Sequence, residues 1–343
     1  MTASQNSVLR LGIVGAGMIA GVVASAVKAV ENIQLTAVAS RRRATAEEFA
    51  KTYAVATVFE SWQEMLASPS IDAVYIATPT HVKEDIAIYA AQHKKHLLVD
   101  KPFASADSVQ RMLDAAKAND VAFMDATHFS NHPRTQAIRD AMPTTIGSPQ
   151  AVKTSFFFPF MDKENIRFNP EKEPTGAVGD TAWYSMRAIA EYLQPTASIK
   201  TVSGAIMRDP DSNAIVRGTG VIVFADDKSS TFDFGYSAGV CLMELDILGE
   251  TGMFNVNDFV LDWKDGFAFD NPNHSTGYTH RTAMDQPQDF KFVATPAEQP
   301  QAVSMMRNFA ELTNHPNSAS AQRAASLTLL TQSLLDAYWE VVK

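Results

Sequence analysis

One cysteine, Cys241, is all that the 343 residues contain. It can form no internal disulfide and cannot build a thiolate zinc site, so no metal centre of that kind is expected. A reducing compartment fits such scarcity, and a cytoplasmic location is the expectation. Positive charge is also scarce: 29 Lys and Arg against 38 Asp and Glu leave a net charge of −9. Nucleic acids and anionic membrane surfaces are held by a basic field, so neither is expected as a partner. Long apolar runs are missing as well. The stretch from Leu11 to Val30 is interrupted by Gly15, Gly17, Gly21 and Lys28. It reads as strand, turn and helix, and nothing approaches the ~18 uninterrupted apolar residues of a membrane span. Residues 1–8 are polar and lack a charged start followed by an apolar core, so no signal peptide is expected. What remains is a globular composition, 46% apolar and 20% charged, on a chain long enough for two domains.

The first part alternates as a parallel sheet does. Apolar strand candidates lie at 9–14, 34–39, 72–77, 96–99 and 121–124, with helical patterns at 17–30, 43–53, 60–67, 80–92 and 105–118. Near-continuous apolar strands imply helices on both faces, and right-handed crossovers then give a doubly wound α/β sheet. After His128 the rhythm changes. A helix is expected at 132–142, a strand at 150–157 and a helix at 178–193. Strands follow at 199–207, 216–224, 231–236, 242–248 and 252–263, with Asp226-Asp227-Lys228-Ser229 as a hairpin turn. Residues 265–300 read as loop, and helices at 303–314 and 320–341 close the chain. Strands in succession predict a C-terminal α+β domain with an open, mainly antiparallel sheet. The expected domains are residues 1–127 and 128–343.

Chemistry enters at Gly15-Ala16-Gly17-Met18-Ile19-Ala20, a G-x-G-x-x-A turn between the first strand and its helix. There Gly15 permits the tight turn and Gly17 lets the backbone approach a pyrophosphate at the helix N-terminus, the pattern of a dinucleotide site. The second strand ends Val38-Ala39-Ser40-Arg41-Arg42-Arg43. NAD sites place an acid there for the ribose 2′-hydroxyl, whereas a 2′-phosphate wants arginine, which points to NADP. A solvated start of the next helix is the other reading, and it suits Arg43. Thr78-Pro79-Thr80-His81 follows the strand at 72–77 and would line the same crevice. Leu97-Leu98-Val99-Asp100-Lys101-Pro102 brings a lysine to the tip of a strand in that sheet. In the second domain, Asp180 and Tyr184 stand at i and i+4, one face of a helix. A tyrosine hydroxyl beside an ammonium ionises more easily, so Lys101 and Tyr184 could pass a proton to or from a carbonyl or hydroxyl. Aromatic packing in the helix core is the alternative for Tyr184.

These motifs resemble the glucose–fructose oxidoreductase / inositol dehydrogenase / rhizopine-catabolism (Gfo/Idh/MocA) family over nearly the whole length. The resemblance rests on the glycine turn, on His96-Leu97-Leu98-Val99-Asp100-Lys101-Pro102, and on Gly176-Ala177-Val178-Gly179-Asp180-Thr181-Ala182-Trp183-Tyr184. The family's Glu-Lys-Pro lysine falls on Lys101, and its Asp-x-Gly-x-His falls on Asp180, Ala182 and Tyr184. Tyrosine in place of that histidine resembles the branch containing glucose–fructose oxidoreductase, dimeric dihydrodiol dehydrogenase and NADP-dependent xylose dehydrogenase. The resemblance therefore implies Lys101 and Tyr184 as catalytic residues with Asp180 orienting them, Ser40-Arg41 with NADP, and a homodimer formed through the face of the C-terminal sheet.

Several positions depart from the family. Asp100 stands for the usual glutamate, Lys83 falls where a histidine is frequent, and Ser130-Asn131-His132-Pro133 lacks the arginine of Arg-Phe-x-Pro. His128, Arg167 and Trp183 are the substrate-side candidates, and His274 and His280 are candidate lid residues. No metal is expected. The sequence thus predicts an NADP(H)-dependent oxidoreductase acting on a secondary or anomeric alcohol, or the matching carbonyl, of a sugar, polyol or trans-diol. An NAD-dependent inositol or sugar dehydrogenase and a non-catalytic dinucleotide-binding sensor are the alternatives.

Overall fold

The computed structural model describes residues 8–343 except Met161 and Asp265. In chain order its elements begin β1 (Leu9–Val14), α1 (Met18–Val27), β2 (Ile33–Ala39), α2 (Arg43–Tyr53), β3 (Thr57–Phe59) and α3 (Trp62–Ala67). They continue through β4 (Ala73–Ile76), α4 (Thr80–Gln92), β5 (His96–Val99), α5 (Ala106–Ala118), β6 (Phe123–Asp125), α6 (Pro133–Thr145) and β7 (Pro149–Phe157). Next come α7 (Gly176–Asp180), α8 (Ala182–Ala188), β8 (Ile199–Arg208), β9 (Ile215–Phe224), β10 (Ser229–Gly235), β11 (Leu242–Gly249) and β12 (Gly252–Val256). Last are β13 (Gly277–Thr282), β14 (Lys291–Ala294), α9 (Gln301–Asn314) and α10 (Ala319–Val342). Two compact units result: one runs to Thr127 and adds Ala302–Thr328, the other is His128–Gln301 with Leu329–Lys343.

The first unit is a six-stranded sheet in the order β3-β2-β1-β4-β5-β6, and every pairing within it is parallel. β4 is buried throughout, as a strand covered on both faces must be. Side-chain caps stop the helices from starting elsewhere: Ser61 accepts from the Glu64 amide at 3.1 Å and Ser105 from the Ser108 amide at 3.1 Å. β3 escaped the sequence reading because three residues are too few to show a period. The core gathers Leu11, Ile13, Val23, Val38, Tyr75 and Leu98 with Met305, Met306 and Phe309 of α9. That apolar stripe of α9 explains why residues 302–328 group with the first unit, although the expected boundary had assigned them to the 128–343 domain.

The second unit is built on an eight-stranded sheet, β14-β13-β12-β11-β7-β10-β9-β8, antiparallel except where β10 lies parallel to β7. Period-2 alternation buries Val152, Thr154 and Phe156 of β7 beside Phe232 and Phe234 of β10 and Met243, Leu245 and Ile247 of β11. Tyr338 closes over that face, its ring 5.0 Å from Phe232 and its hydroxyl donating to the Thr219 carbonyl at 2.9 Å. Three expectations change here. The strand expected at 252–263 stops at Val256. Residues 265–300 are not all loop, since β13 and β14 extend the sheet from β12. Their polar composition (Thr279, His280 and Arg281 among them) conceals a strand near a sheet edge. The helix expected at 178–193 breaks at Thr181 into α7 and α8, then ends in a π-helical turn over Ile189–Leu193. Among the described residues no helix is long and apolar enough to cross a membrane.

Candidate functional site

In the first unit β1 has β2 on one side and β4 on the other, so the chain reverses its winding direction there. Crevices at the carboxyl ends of strands at such a point are where ligands bind in open α/β sheets. Gly15 sits at that end with φ +101°, and a Cβ on it would lie 2.5 Å from the Ala77 carbonyl oxygen. Glycine is required there by backbone conformation and by the closeness of β4. Gly17 differs: its φ is −89°, and nothing lies within 4 Å of an added Cβ. The protein's own packing does not demand glycine at 17, but a phosphate approaching the backbone would. α1 has no side-chain cap and no acid in its first turn, so the amides of Met18 and Ile19 remain available to an anion beside Ala16.

The arginines after β2 divide their tasks. Arg43 donates to Glu47 at 2.7 Å and pairs with Glu60. Arg41 and Arg42 are exposed, and neither guanidinium has a side-chain partner among the described residues. Ser40 is half-buried beside them. At the end of β4, the Thr78 hydroxyl is buried without a hydrogen-bond partner, which costs stability unless a ligand supplies one. Pro79 precedes α4 and His81 is exposed in its first turn. Asp100, Lys101 and Pro102 are half-buried beyond β5, with the Asp100 amide bonded to Ile76 at 2.9 Å and the Lys101–Pro102 peptide cis. Lys83, noted in the sequence only as a departure from the family's histidine, is 3% exposed and donates to the Pro102 carbonyl at 2.8 Å. It ties the first turns of α4 to the segment carrying Lys101. A glycine cradle, an uncapped helix, an orphaned hydroxyl and two unpaired guanidinium groups, all at carboxyl ends of one parallel sheet, fit a phosphorylated dinucleotide.

The second unit has its own polar centre. Asp180 closes α7, and one of its carboxylate oxygens accepts from Arg167 Nε at 2.5 Å and from the Tyr236 hydroxyl at 2.9 Å. The Arg167 guanidinium also lies over the Phe160 ring, 4.3 Å from its centroid. Burial opposes the charge on Arg167, yet Asp180 holds its pKa above the usual arginine value. Burial, and then Asp180, push Tyr236 well above the ordinary tyrosine range, so its hydroxyl stays a donor. Tyr184 is half-buried on α8, edge-on to Phe156 at 5.1 Å, and is a lesser cause of the raised Arg167 pKa. Arg167, expected to meet substrate, is thus committed to Asp180. Tyr236 was missed, although it continues the inward alternation of Phe232 and Phe234.

Trp183 is 0% exposed, with the Arg187 guanidinium 5.7 Å above its ring. The expectation that it meets substrate is corrected, since such a side chain is core. His128 is 7% exposed and lies edge-on to Phe267 at 6.2 Å. The candidate lid histidines are held too: His280 is a strand residue opposite Phe254, and His274 Nε2 lies 3.0 Å from Asp258. Asp258, Asp262 and His274 converge within 4.8 Å, a grouping hidden by their spacing in the chain. Their donors are spent on protein partners. Arg134 bonds the Asp258 side chain and carbonyl, and Thr276 donates to Asp262 at 2.8 Å. His132 Nδ1 accepts from the Arg134 amide, so the neutral ring carries its proton on Nε2, 3.4 Å from Asp262.

Comparison with known proteins agrees with the first of these centres. A family model described as an oxidoreductase family with an NAD-binding Rossmann fold (Gfo/Idh/MocA) matches residues 9–127. Residues 9–127 are thus similar to the Rossmann domain of that family. Among curated relatives, the scyllo-inositol 2-dehydrogenase (NADP(+)) IolU of Bacillus subtilis is 41% identical over 119 residues, 34% of this chain and 36% of that protein. The D-xylose 1-dehydrogenase (NADP(+)) 2 of Haloferax volcanii is 32% identical over 188 residues, 54% of this chain and 57% of that one. The match therefore spans between about a third and three fifths of these relatives' length. Both units share their fold with KijD10, a 3-ketoreductase from Actinomadura kijaniata solved with NADP and TDP-benzene. Its TM-score is 0.84 at 21% identity, covering 98% of each chain.

Proposed function

We propose that this chain is an NADP(H)-dependent oxidoreductase of the branch that pairs lysine with tyrosine. Its substrate would be a secondary or anomeric alcohol of a sugar, polyol or trans-diol, or the matching carbonyl. The observation that carries the cofactor choice is the pair Arg41 and Arg42, exposed and unpaired where an NAD site places an acid. Gly15, Ala16, Gly17, Met18 and Ile19 would hold the pyrophosphate, and Ser40, Arg41 and Arg42 the 2′-phosphate. Thr78, Pro79, His81, Asp100, Lys101 and Pro102 would line the same cofactor crevice. When bound, the nicotinamide supplies the hydride chemistry. Lys101 and Tyr184 are the residues proposed to hold and move the proton on the reacting oxygen. A cation favours the anionic form of a phenol, so in a lysine–tyrosine pair of this kind the phenol is the better base in the oxidative direction. Asp180 keeps the charge surroundings of Tyr184 constant through Arg167, and His128 is the remaining candidate for substrate contact. Names of relatives that act on inositol and xylose support the substrate class. A homodimer formed through the open face of the second unit's sheet, and a cytoplasmic location, belong to the same proposal.

The test is a screen of NADP reduction and NADPH consumption, each beside the NAD counterpart, against sugars, polyols, trans-diols and dicarbonyls. Turnover in one class with preference for NADP(H) is the expected result. Binding of NADPH without turnover in any class would replace the proposal by the sensor reading, which the missing arginine at Ser130-Asn131-His132-Pro133 favours.

A further inference from the structure

Asp180 is the last residue of a five-residue helix, and the chain bends immediately after it at Thr181. One Asp180 carboxylate oxygen accepts from two donors, Arg167 Nε at 2.5 Å and the Tyr236 hydroxyl at 2.9 Å. These three residues reach the same point from separate parts of the unit. Arg167 lies in the single turn Ile166–Phe168, Asp180 ends α7, and Tyr236 directly follows β10. Aromatic rings frame both donors. Phe160 stands edge-on to Tyr236 at 5.4 Å and lies under the Arg167 guanidinium at 4.3 Å. Tyr236 is 2% exposed, which leaves its hydroxyl little freedom to turn to water.

We propose that Tyr236 is a positioning residue: with Arg167 it clamps one oxygen of Asp180, and the clamped pair fixes the charge surroundings of Tyr184. The inference rests on the reading of Tyr184 as a proton-handling group. Charged and titratable groups acting on this cluster include Arg167, Asp180, Tyr184 and Glu173. Phe156 and Phe129 pack against the Tyr184 ring and bring no charge. Without the Tyr236 hydroxyl, Asp180 keeps one donor of the pair and its negative charge is less well neutralised. Tyr184 is coupled to the Arg167 partner of that carboxylate, and a phenol near a less neutralised negative charge loses its proton less readily.

Tyr236→Phe removes the hydroxyl and keeps the ring and its packing. The readout is the ζ-carbon resonance of Tyr184 in full-length protein labelled in its tyrosine rings, identified as the signal lost in Tyr184→Phe and followed against pH. The expected result in Tyr236→Phe is a displaced resonance whose ionisation step moves up by about one pH unit. Arg167→Met should move it further in the same direction, and Arg167→Lys should restore part of the original position. In an Asp180→Asn background Tyr236→Phe should add nothing, because the hydroxyl acts through that carboxylate. A resonance untouched by Tyr236→Phe, or an equal displacement with Asp180→Asn already in place, overturns the proposal. Failure of the catalytic reading would show separately, as full turnover retained by Tyr184→Phe.

Discussion

Replacing Arg41 by aspartate should invert the cofactor preference, and the structure bounds the size of the effect. Among the described residues Arg41 has no carboxylate partner to release, so the mutation breaks no ion pair among them. Arg43 cannot substitute for it, being held by Glu47 and Glu60. Hydrogen bonds to charged groups contribute about 1.5–3 kcal/mol. At ~1.4 kcal/mol per tenfold, that predicts an NADPH affinity lower by about 10- to 100-fold. The lower half of that range is the better expectation at physiological salt, because the side chain is exposed and its field is screened within ~8 Å. Arg42 remains and should keep some 2′-phosphate binding, so Arg41→Asp with Arg42→Asp should lose more. NADH binding should hold or improve, since an acid there can accept from the ribose 2′-hydroxyl. Titration calorimetry with both cofactors at two salt concentrations reads the ratio directly. An unchanged ratio of NADPH to NADH affinity in the double variant would refute the assignment of these arginines.

Three further outcomes follow from buried features. Gly15→Ala should lose about 1–3 kcal/mol of unfolding free energy in urea melts, because φ is +101° and the new Cβ meets the Ala77 carbonyl at 2.5 Å. Arg134→Met should cost about 3–5 kcal/mol, since Asp258 is 0% exposed and would lose its counter-charge. A second change, Asp258→Asn, should recover part of that loss, and no recovery would show that the pair's charge is not the cause. His96 and His132 both have pKa values lowered from 6.5, chiefly by burial. Lowered folded values mean that the unfolded chain takes up protons first. Their contribution is therefore complete above about pH 6.5 and fades as pH falls through the lower folded values. Each Nδ1 accepts a backbone amide, from Ala122 and Arg134, which asparagine can imitate. His96→Asn with His132→Asn should flatten the decline in melting temperature from pH 7 to pH 5.

Much of the first unit was legible because its signals are local. Apolar runs such as Ala73-Val74-Tyr75-Ile76 can only be covered strands, and Gly15 and Gly17 lie within one turn. α2 and α4 were placed to the residue, since each fills the stretch between two apolar strands. Long-range packing left no such mark. α9 has an ordinary amphipathic pattern, and nothing in it says which core Met305 and Phe309 enter. β13 carries Thr279, His280 and Arg281 where an edge-proximal strand can afford polar residues, so its composition imitates loop. The same limit applies to the polar centres. Asp180 and Tyr184 were found through their spacing, but Tyr236 reaches Asp180 from 56 residues away and Arg167 from the other side. Trp183 shows the reverse error. Its neighbours carry the motif, yet its own ring is 0% exposed in the core.

The central claim is that Lys101 and Tyr184 handle the proton in an NADP(H)-dependent reaction. It is tested most directly by Lys101→Met and Tyr184→Phe, each measured for NADPH binding by calorimetry and for turnover on the substrate class found by screening. The account predicts NADPH affinity within a few-fold of the parent and turnover lower by about 100-fold or more in each variant. Full turnover in both variants, with cofactor binding intact, would contradict it.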